Sequence, residues 1–190
     1  MIVGDLLETT LSATELDVIR TECSQFLRTS AGLPLKKLLP STYTNFCRVK
    51  IRKRKQADAV TEAFERAFGE QFYNLRQRAL FAYSSINAAQ PGYEPFYVFP
   101  VNGFKFMYCK EVTNSQIDYE TAVGVLEKQL NAIDRVTSLV SDVIRYSYTS
   151  ESMPAAIRAG AEVIVYGIPC FYAVRASTAK SYPTLLTNIR

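Results

Sequence analysis

The chain has 190 residues, 48% of them hydrophobic and 21% charged, with only eight Gly and eight Pro; this is the balance of one globular domain and excludes a disordered, collagen-like or low-complexity chain. There is no His and no Trp, which removes Ser-His-Asp and Cys-His catalysis, histidine-bound zinc and an imidazole general base. Twenty-two Lys and Arg against eighteen Asp and Glu leave +4, an excess too small to mark the whole chain as nucleic-acid binding.

The first local signal is Leu11-Ser12-Ala13-Thr14-Glu15-Leu16. Ser12 and Glu15 have the spacing of a capping box, and Leu11 and Leu16 that of a hydrophobic staple. They predict a helix over about residues 12–30 with Leu16, Ile19, Cys23, Phe26 and Leu27 on the inner face, stopped by Gly32 and Pro34. After Leu39-Pro40-Ser41-Thr42, residues 45–54 alternate. Cys47, Val49 and Ile51 point one way and Arg48, Lys50 and Arg52 the other, as in a half-buried strand with a basic outer face.

Apolar residues at helical spacing predict a second helix over 58–83, with Gly69 able to kink or divide it. Two aromatic strands follow, 96–99 and 104–109, joined by Pro100-Val101-Asn102-Gly103, and Asn-Gly between such runs predicts a hairpin. The stripe Val123, Leu126, Leu130, Ile133, Val136, Val140, Val143 and Ile144 predicts one long helix over about 115–147. A short helix is expected over 152–159, with Pro154 in its first turn and Gly160 as its stop. A second strand pair, 162–166 and 171–175, turns at Gly167-Ile168-Pro169, and an amphipathic turn over 183–189 ends the chain. Three main helices, two hairpins and no repeated β-α alternation predict a single α+β domain over 1–190 with a mainly antiparallel sheet of about five strands.

Cys23, Cys47, Cys109 and Cys170 are separated by 23, 61 and 60 residues with no C-x-x-C pair. This spacing supports neither a zinc site nor a redox motif, and the apolar surroundings predict buried free thiols. MIVGDLLETT carries acidic residues where a signal peptide needs basic ones, and no stretch approaches the roughly 18 apolar residues of a spanning helix. The chain is therefore expected to be neither secreted nor in a membrane.

The densest charge feature is residues 48–55, where Arg48, Lys50, Arg52, Lys53, Arg54 and Lys55 give six cations in eight positions. On a strand, alternate residues stand about 7 Å apart, a spacing that can follow a phosphate backbone or an acidic partner. Residues 45–82, which add Arg76 and Arg78, hold nine basic and four acidic residues, whereas 111–151 hold three basic and seven acidic. Opposed charge of this kind suits head-to-tail or heterologous assembly; the plainer reading is a solvated strand face and an acidic helix surface. The interaction residues are thus Arg48, Lys50, Arg52, Lys53, Arg54, Lys55, Arg76 and Arg78, facing protein partners or a second copy, with nucleic acid as an alternative and no membrane. The aromatics Tyr93, Phe96, Tyr97, Phe99, Phe104, Phe106 and Tyr108 would stack unpaired bases if exposed, but their alternation fits core or interface packing.

No convergent catalytic set or metal cluster is visible, so the favoured reading has neither catalytic residues nor a cofactor. An enzyme reading stands beside it. Arg48, then Ser84-Ser85 after a helix, then Glu162 at a late strand is similar to the Arg, Ser and Glu order of mono-ADP-ribosyltransferases. That resemblance implies NAD as cosubstrate and host proteins as targets, with Arg48 on the NAD phosphates, Ser84 shaping the nicotinamide pocket and Glu162 stabilising an oxocarbenium-like transition state. The sequence departs from the family two positions before the Glu, where Gly160 replaces the usual Glu or Gln. Residues 45–54, Asn74-Leu75-Arg76-Gln77-Arg78-Ala79 and 96–115 also resemble small uncharacterised proteins of tailed bacteriophages. That likeness implies a viral context and no activity, and with the divided charge it leads to the expectation of a non-enzymatic virion subunit of connector, tail or baseplate type, located in a virion or host cytoplasm.

Overall fold

In the computed structural model, residues 11–53, 59–69, 75–86, 90–130 and 133–177 are described. Their elements are α1 (Ala13–Glu22), α2 (Ser24–Thr29), β1 (Lys36–Pro40), β2 (Phe46–Lys50), α3 (Ala59–Phe68), a 3-10 turn (Arg76–Arg78), β3 (Leu80–Ala82), β4 (Tyr93–Pro100), β5 (Lys105–Tyr108), α4 (Ser115–Leu130), α5 (Ile133–Ser147), α6 (Met153–Ala159), β6 (Val163–Tyr166) and β7 (Cys170–Arg175). The class is α+β, and among the described residues the pairing is wholly antiparallel and the strands number seven rather than five. They form two sheets, in the orders β1-β4-β7-β2 and β3-β6-β5.

Neither predicted hairpin forms. β4 pairs with β1 and β7, while β5 pairs with β6. From Phe96 opposite Arg175 to Tyr108 opposite Val163, one register runs through both sheets. The segments 93–108 and 163–175 are therefore a single long antiparallel ribbon, and the two turn sequences face each other where it bends. The chain leaves one sheet and enters the other at this bend, so the turn residues make a corner instead of a reversal. A second seam joins the sheets, because the Lys36 N–H donates to the Tyr83 carbonyl at 2.6 Å and the Tyr83 N–H donates back at 2.8 Å.

The α1–α2 corner docks on this bend. The predicted capping box is present, with Glu15 N–H donating to Ser12 Oγ and Ser12 N–H donating to the Glu15 carboxylate. The predicted 12–30 helix is nevertheless broken at Cys23, which provides no side-chain cap for α2. Asn102 does so from the bend. Its Oδ1 accepts from Gln25 N–H at 2.9 Å, its Nδ2 donates to the Thr21 carbonyl at 2.9 Å, and its own N–H donates to the Glu22 carbonyl at 2.7 Å. One residue thus satisfies orphan groups at the end of one helix and the start of the next.

The period-2 alternation of β3, β5 and β6 divides the interior. Leu80, Ala82, Tyr108, Val163 and Val165 join a first core with the four-stranded sheet, α1, α2 and α6. Phe81, Met107 and Ile164 face a second core with α3, α4 and α5. The three-stranded sheet is consequently buried on both faces. In the second core α3 contributes Val60, Ala63, Phe64 and Ala67, a stripe at i, i+3, i+4 and i+7.

Two further helix expectations are corrected. The 58–83 helix stops at Phe68, and Leu80, read as part of its stripe, lies in β3. The 115–147 helix is two helices packed on each other, α4 and α5, because Val136, Val140 and Ile144 must face the same core as Tyr119 and Val123. Helix α6 forms as expected, with Ser152 Oγ accepting from Ala155 N–H and Gly160 ending it. All four cysteines are free thiols, three buried and Cys47 half-buried. Among the described residues no helix is long and apolar enough to cross a membrane. The predicted turn over 183–189 lies outside the described residues.

Candidate functional site

β2 is an edge strand, paired on one side with β7 from Phe46 opposite Val174 to Lys50 opposite Cys170. Its end is carried further along the ribbon by Ile51 N–H, which donates to the Pro169 carbonyl at 2.8 Å. Its start is fixed by Arg175, whose backbone N–H donates to the Asn45 carbonyl and whose guanidinium donates to Asn45 Oδ1, pairs with Glu94 and lies over the Phe96 ring. The strand is thus pinned at both ends, with Arg48 and Lys50 exposed between them.

Beside the strand end and the ribbon bend lies a groove of about 670 Å³, lined by Arg48, Lys50, Arg52, Lys53 and Arg78 around Ile51, Ile168, Pro169 and Cys170. A second groove of about 600 Å³ shares Arg48, Lys50 and Arg52 and adds Tyr43, Thr44, Cys47 and Val49. Among the described residues, neither lining includes a carboxylate. Among the described residues, no acid lies within ion-pair distance of Lys50, Arg52, Lys53 or Arg78. Like charges gathered without counterions raise the local potential and favour an anionic partner.

Arg48 is the most constrained of the set. Its Nε donates to Cys170 Sγ at 3.2 Å, and its guanidinium stands 5.8 Å from the centre of the Tyr172 ring. The Cys170 thiol beside it raises the guanidinium pKa above its ordinary value, so Arg48 remains a cation. The Tyr172 ring is held by a stacked Phe46 at 5.5 Å, and its hydroxyl donates to Glu22 Oε2 at 2.8 Å. Burial, then this carboxylate, pushes the Tyr172 phenol up to about 12.

Of the eight sequence-derived interaction residues, the structure brings five around one groove. Arg54, Lys55 and the Arg76 side chain lie outside what is described. Arg78 reaches the groove from the 3-10 turn that precedes β3, so the site joins the edge strand of one sheet to the turn that leads into the other. Sequence reasoning missed the apolar part of the lining, Ile51, Ile168 and Pro169, which depends on the ribbon bend.

The Arg48, Ser84 and Glu162 set is only partly gathered. The register that pairs Ala82 with Val163 brings Tyr83 opposite Glu162, with Ser84 next in line. Glu162 is 2% exposed, and both of its oxygens are engaged. Tyr83 Oη donates to Oε2 at 2.7 Å, and the Ser115 N–H donates to Oε1 at 3.2 Å. The N-terminus of α4 thereby holds the carboxylate as a structural acceptor. Arg48 is elsewhere, and neither groove that it lines includes Ser84 or Glu162. Among the described residues no group of His, Cys, Asp or Glu has a metal-binding arrangement. No protein-family model, curated protein or solved structure matches the chain.

Proposed function

We propose that the chain is a non-enzymatic assembly or interaction protein, of the kind that serves as a connector, tail or baseplate subunit of a tailed-phage virion, and that the basic groove is its contact surface for an acidic protein partner. The observation that carries this reading is the gathering of Arg48, Lys50, Arg52, Lys53 and Arg78 around one groove, with no acid among the described residues of its lining. Charges on an edge strand also guard it against adding another strand. Edge protection accounts for Arg48 and Lys50 but not for Arg78, which comes from the 3-10 turn before β3 and not from the edge strand. The viral part rests on the likeness of residues 45–54, 74–79 and 96–115 to phage proteins.

Light scattering of the purified chain, together with a search for it in virion fractions, tests the proposal. Lys50→Glu with Arg52→Glu and Lys53→Glu is expected to remove the chain from its assembly without changing its melting temperature by more than a few degrees. A strict monomer that enters no virion fraction would sink the reading.

A nucleic-acid reading is favoured by one observation, the exposure of Arg48 and Lys50 on the same face of β2, about 7 Å apart. It predicts binding whose logarithm falls linearly with the logarithm of salt concentration, with a slope near −0.7 for each single-strand phosphate contacted. Salt-insensitive or absent binding ends it.

A further inference from the structure

We propose that the acidic partner of the groove is a second copy of the chain, which seats the outer face of its α4–α5 pair there, so that copies associate head to tail. This rests on the assembly reading above and names its partner.

Helices α4 and α5 turn Tyr119, Val123, Val136, Val140 and Ile144 into the second core. They also carry large apolar residues facing away from it. Ile117 and Val125 on α4 are 60% and 51% exposed, and Leu139, Val143 and Tyr146 on α5 are 44%, 55% and 83% exposed. Single exposed apolar residues are ordinary. These are aligned, at i, i+4 and i+7 on α5 and at i and i+8 on α4, which makes two stripes on neighbouring helices. From Leu139 to Tyr146 the α5 stripe runs about 10 Å.

Among the described residues, more of the charges beside these stripes are acidic than basic, although Lys128 on α4 and Lys110 beside Glu111 are exposed as well. Glu120 and Asp142 are exposed on the helices, and Glu111 and Glu151 are exposed on the segments that flank them. The cation Arg145 is drawn elsewhere, with Nε donating to the Ala67 carbonyl at 3.0 Å and Nη2 to the Arg66 carbonyl at 3.3 Å, at the C-terminal end of α3. The outer face is therefore an apolar ridge whose described margin holds more anions than cations. The groove is its converse, with the apolar Ile51, Ile168 and Pro169 and five cations in one lining. Complementary charge at the rim steers the encounter and sets orientation, while apolar contact at the centre supplies affinity.

Groove and ridge are different surfaces of the same chain, on the outer sides of different cores. Contact between them is heterologous and leads to a closed ring or an open filament, according to whether the rotation closes. Association between two like faces would not use both patches in this way.

A charge exchange tests the inference. One variant carries Lys50→Glu and Arg52→Glu, and another carries Glu120→Lys and Asp142→Lys; all four positions are exposed, and unchanged melting temperatures verify the fold. Nuclease-treated wild-type chain is expected to associate in low salt and to dissociate as salt rises. Each variant alone is expected to be monomeric, and their equimolar mixture to associate again, since each reversed groove then meets a reversed ridge. Tyr146→Ala is expected to weaken wild-type association about tenfold. A mixture that stays monomeric, or association that nuclease abolishes, overturns self-docking. If the wild-type chain is monomeric alone but enters virions in a way that the groove variant prevents, the partner is a different acidic protein, and the assembly reading stands without self-docking. A monomer absent from virions removes both.

Discussion

A Cβ placed on Gly167 would stand 3.8 Å from the carbonyl oxygen of Gly103. The two glycines belong to turns far apart in sequence that share one bend, and both have positive φ, 91° at Gly103 and 82° at Gly167. The contact distance is an ordinary one, so space is not what excludes a side chain at either position. The backbone conformation is, and this bend is where β4–β5 and β6–β7 change sheets together.

Gly103→Ala and Gly167→Ala are therefore each expected to destabilise the fold by about 1–2 kcal/mol, the cost of holding an L-residue in the left-handed region. Urea unfolding provides the measurement. Because the positions are in contact, the double variant is expected to depart from the sum of the two singles. Wild-type stability in either single variant would mean that the bend relaxes without cost.

Asn102→Ala removes an acceptor for α2 and a donor for α1 in one step, and is expected to cost about 1–2 kcal/mol. Asn102→Asp separates the two roles. It retains the acceptor toward Gln25 N–H, loses the donor toward the Thr21 carbonyl, and is expected to fall between Ala and wild type. Equal losses for Ala and Asp would show that the contact to Thr21 dominates.

Features decided within one turn of chain were legible in the sequence. The capping box at Ser12 and Glu15, the Ser152 cap with its Gly160 stop, and the alternation of Arg48 and Lys50 with Cys47 and Val49 are of this kind, since each depends on neighbouring residues alone. The hairpins were not, because Asn102-Gly103 specifies a turn while the partner strand decides the pairing. β5 gains more from β6, which lets its alternate residues face two cores, Tyr108 the first and Met107 the second, while β4 gains more from β1 and β7 on its two sides. β1 and β3 were hidden for similar reasons. Lys36, Lys37 and Pro40 give β1 a poor strand pattern, and Leu75, Ala79 and Leu80 imitate a helical stripe. In the site, the cations were evident but their gathering with Arg78 was not, since it depends on how the sheets meet. Val143 was read as inward, yet it stands about 100° round the helix from Ile144, far enough to face solvent once the helix pair has formed.

Alkaline pH is expected to destabilise the fold. Burial pushes the Cys23 thiol from 9.0 to about 12 and the Tyr119 phenol from 10.0 to about 12, and it also raises Cys47 and Cys109. These groups remain protonated in the folded chain at pH values where the unfolded chain loses their protons. Their contribution is thus complete below about pH 9 and is lost as pH rises toward 12. Each adds a slope of at most about 1.4 kcal/mol per pH unit. Cys23→Ala is expected to flatten the first part of the decline, near pH 9 to 10, before the tyrosines ionise in the unfolded chain. A stability profile that stays flat to pH 11 would refute the protonated, buried state of these groups.

Glu162→Gln distinguishes a structural carboxylate from a catalytic one. The Gln amide can retain one acceptor oxygen but places an NH₂ against either the Tyr83 hydroxyl or the Ser115 N–H, and it removes the anion from the N-terminus of α4. The expected loss is about 1–3 kcal/mol. Tyr83→Phe leaves a buried carboxylate oxygen without its donor and is expected to cost a similar amount. Because the two residues share one hydrogen bond, the double variant is expected to cost less than the sum. Thermal melts of the three variants measure this, with NAD added in a parallel series. If Glu162 were instead the transition-state carboxylate of an ADP-ribosyl transfer, NAD would raise the melting temperature of the wild-type chain, and Glu162→Gln would abolish transfer while leaving stability intact. Its 2% exposure and its two engaged oxygens predict the opposite pattern, a less stable chain with no NAD response in either form.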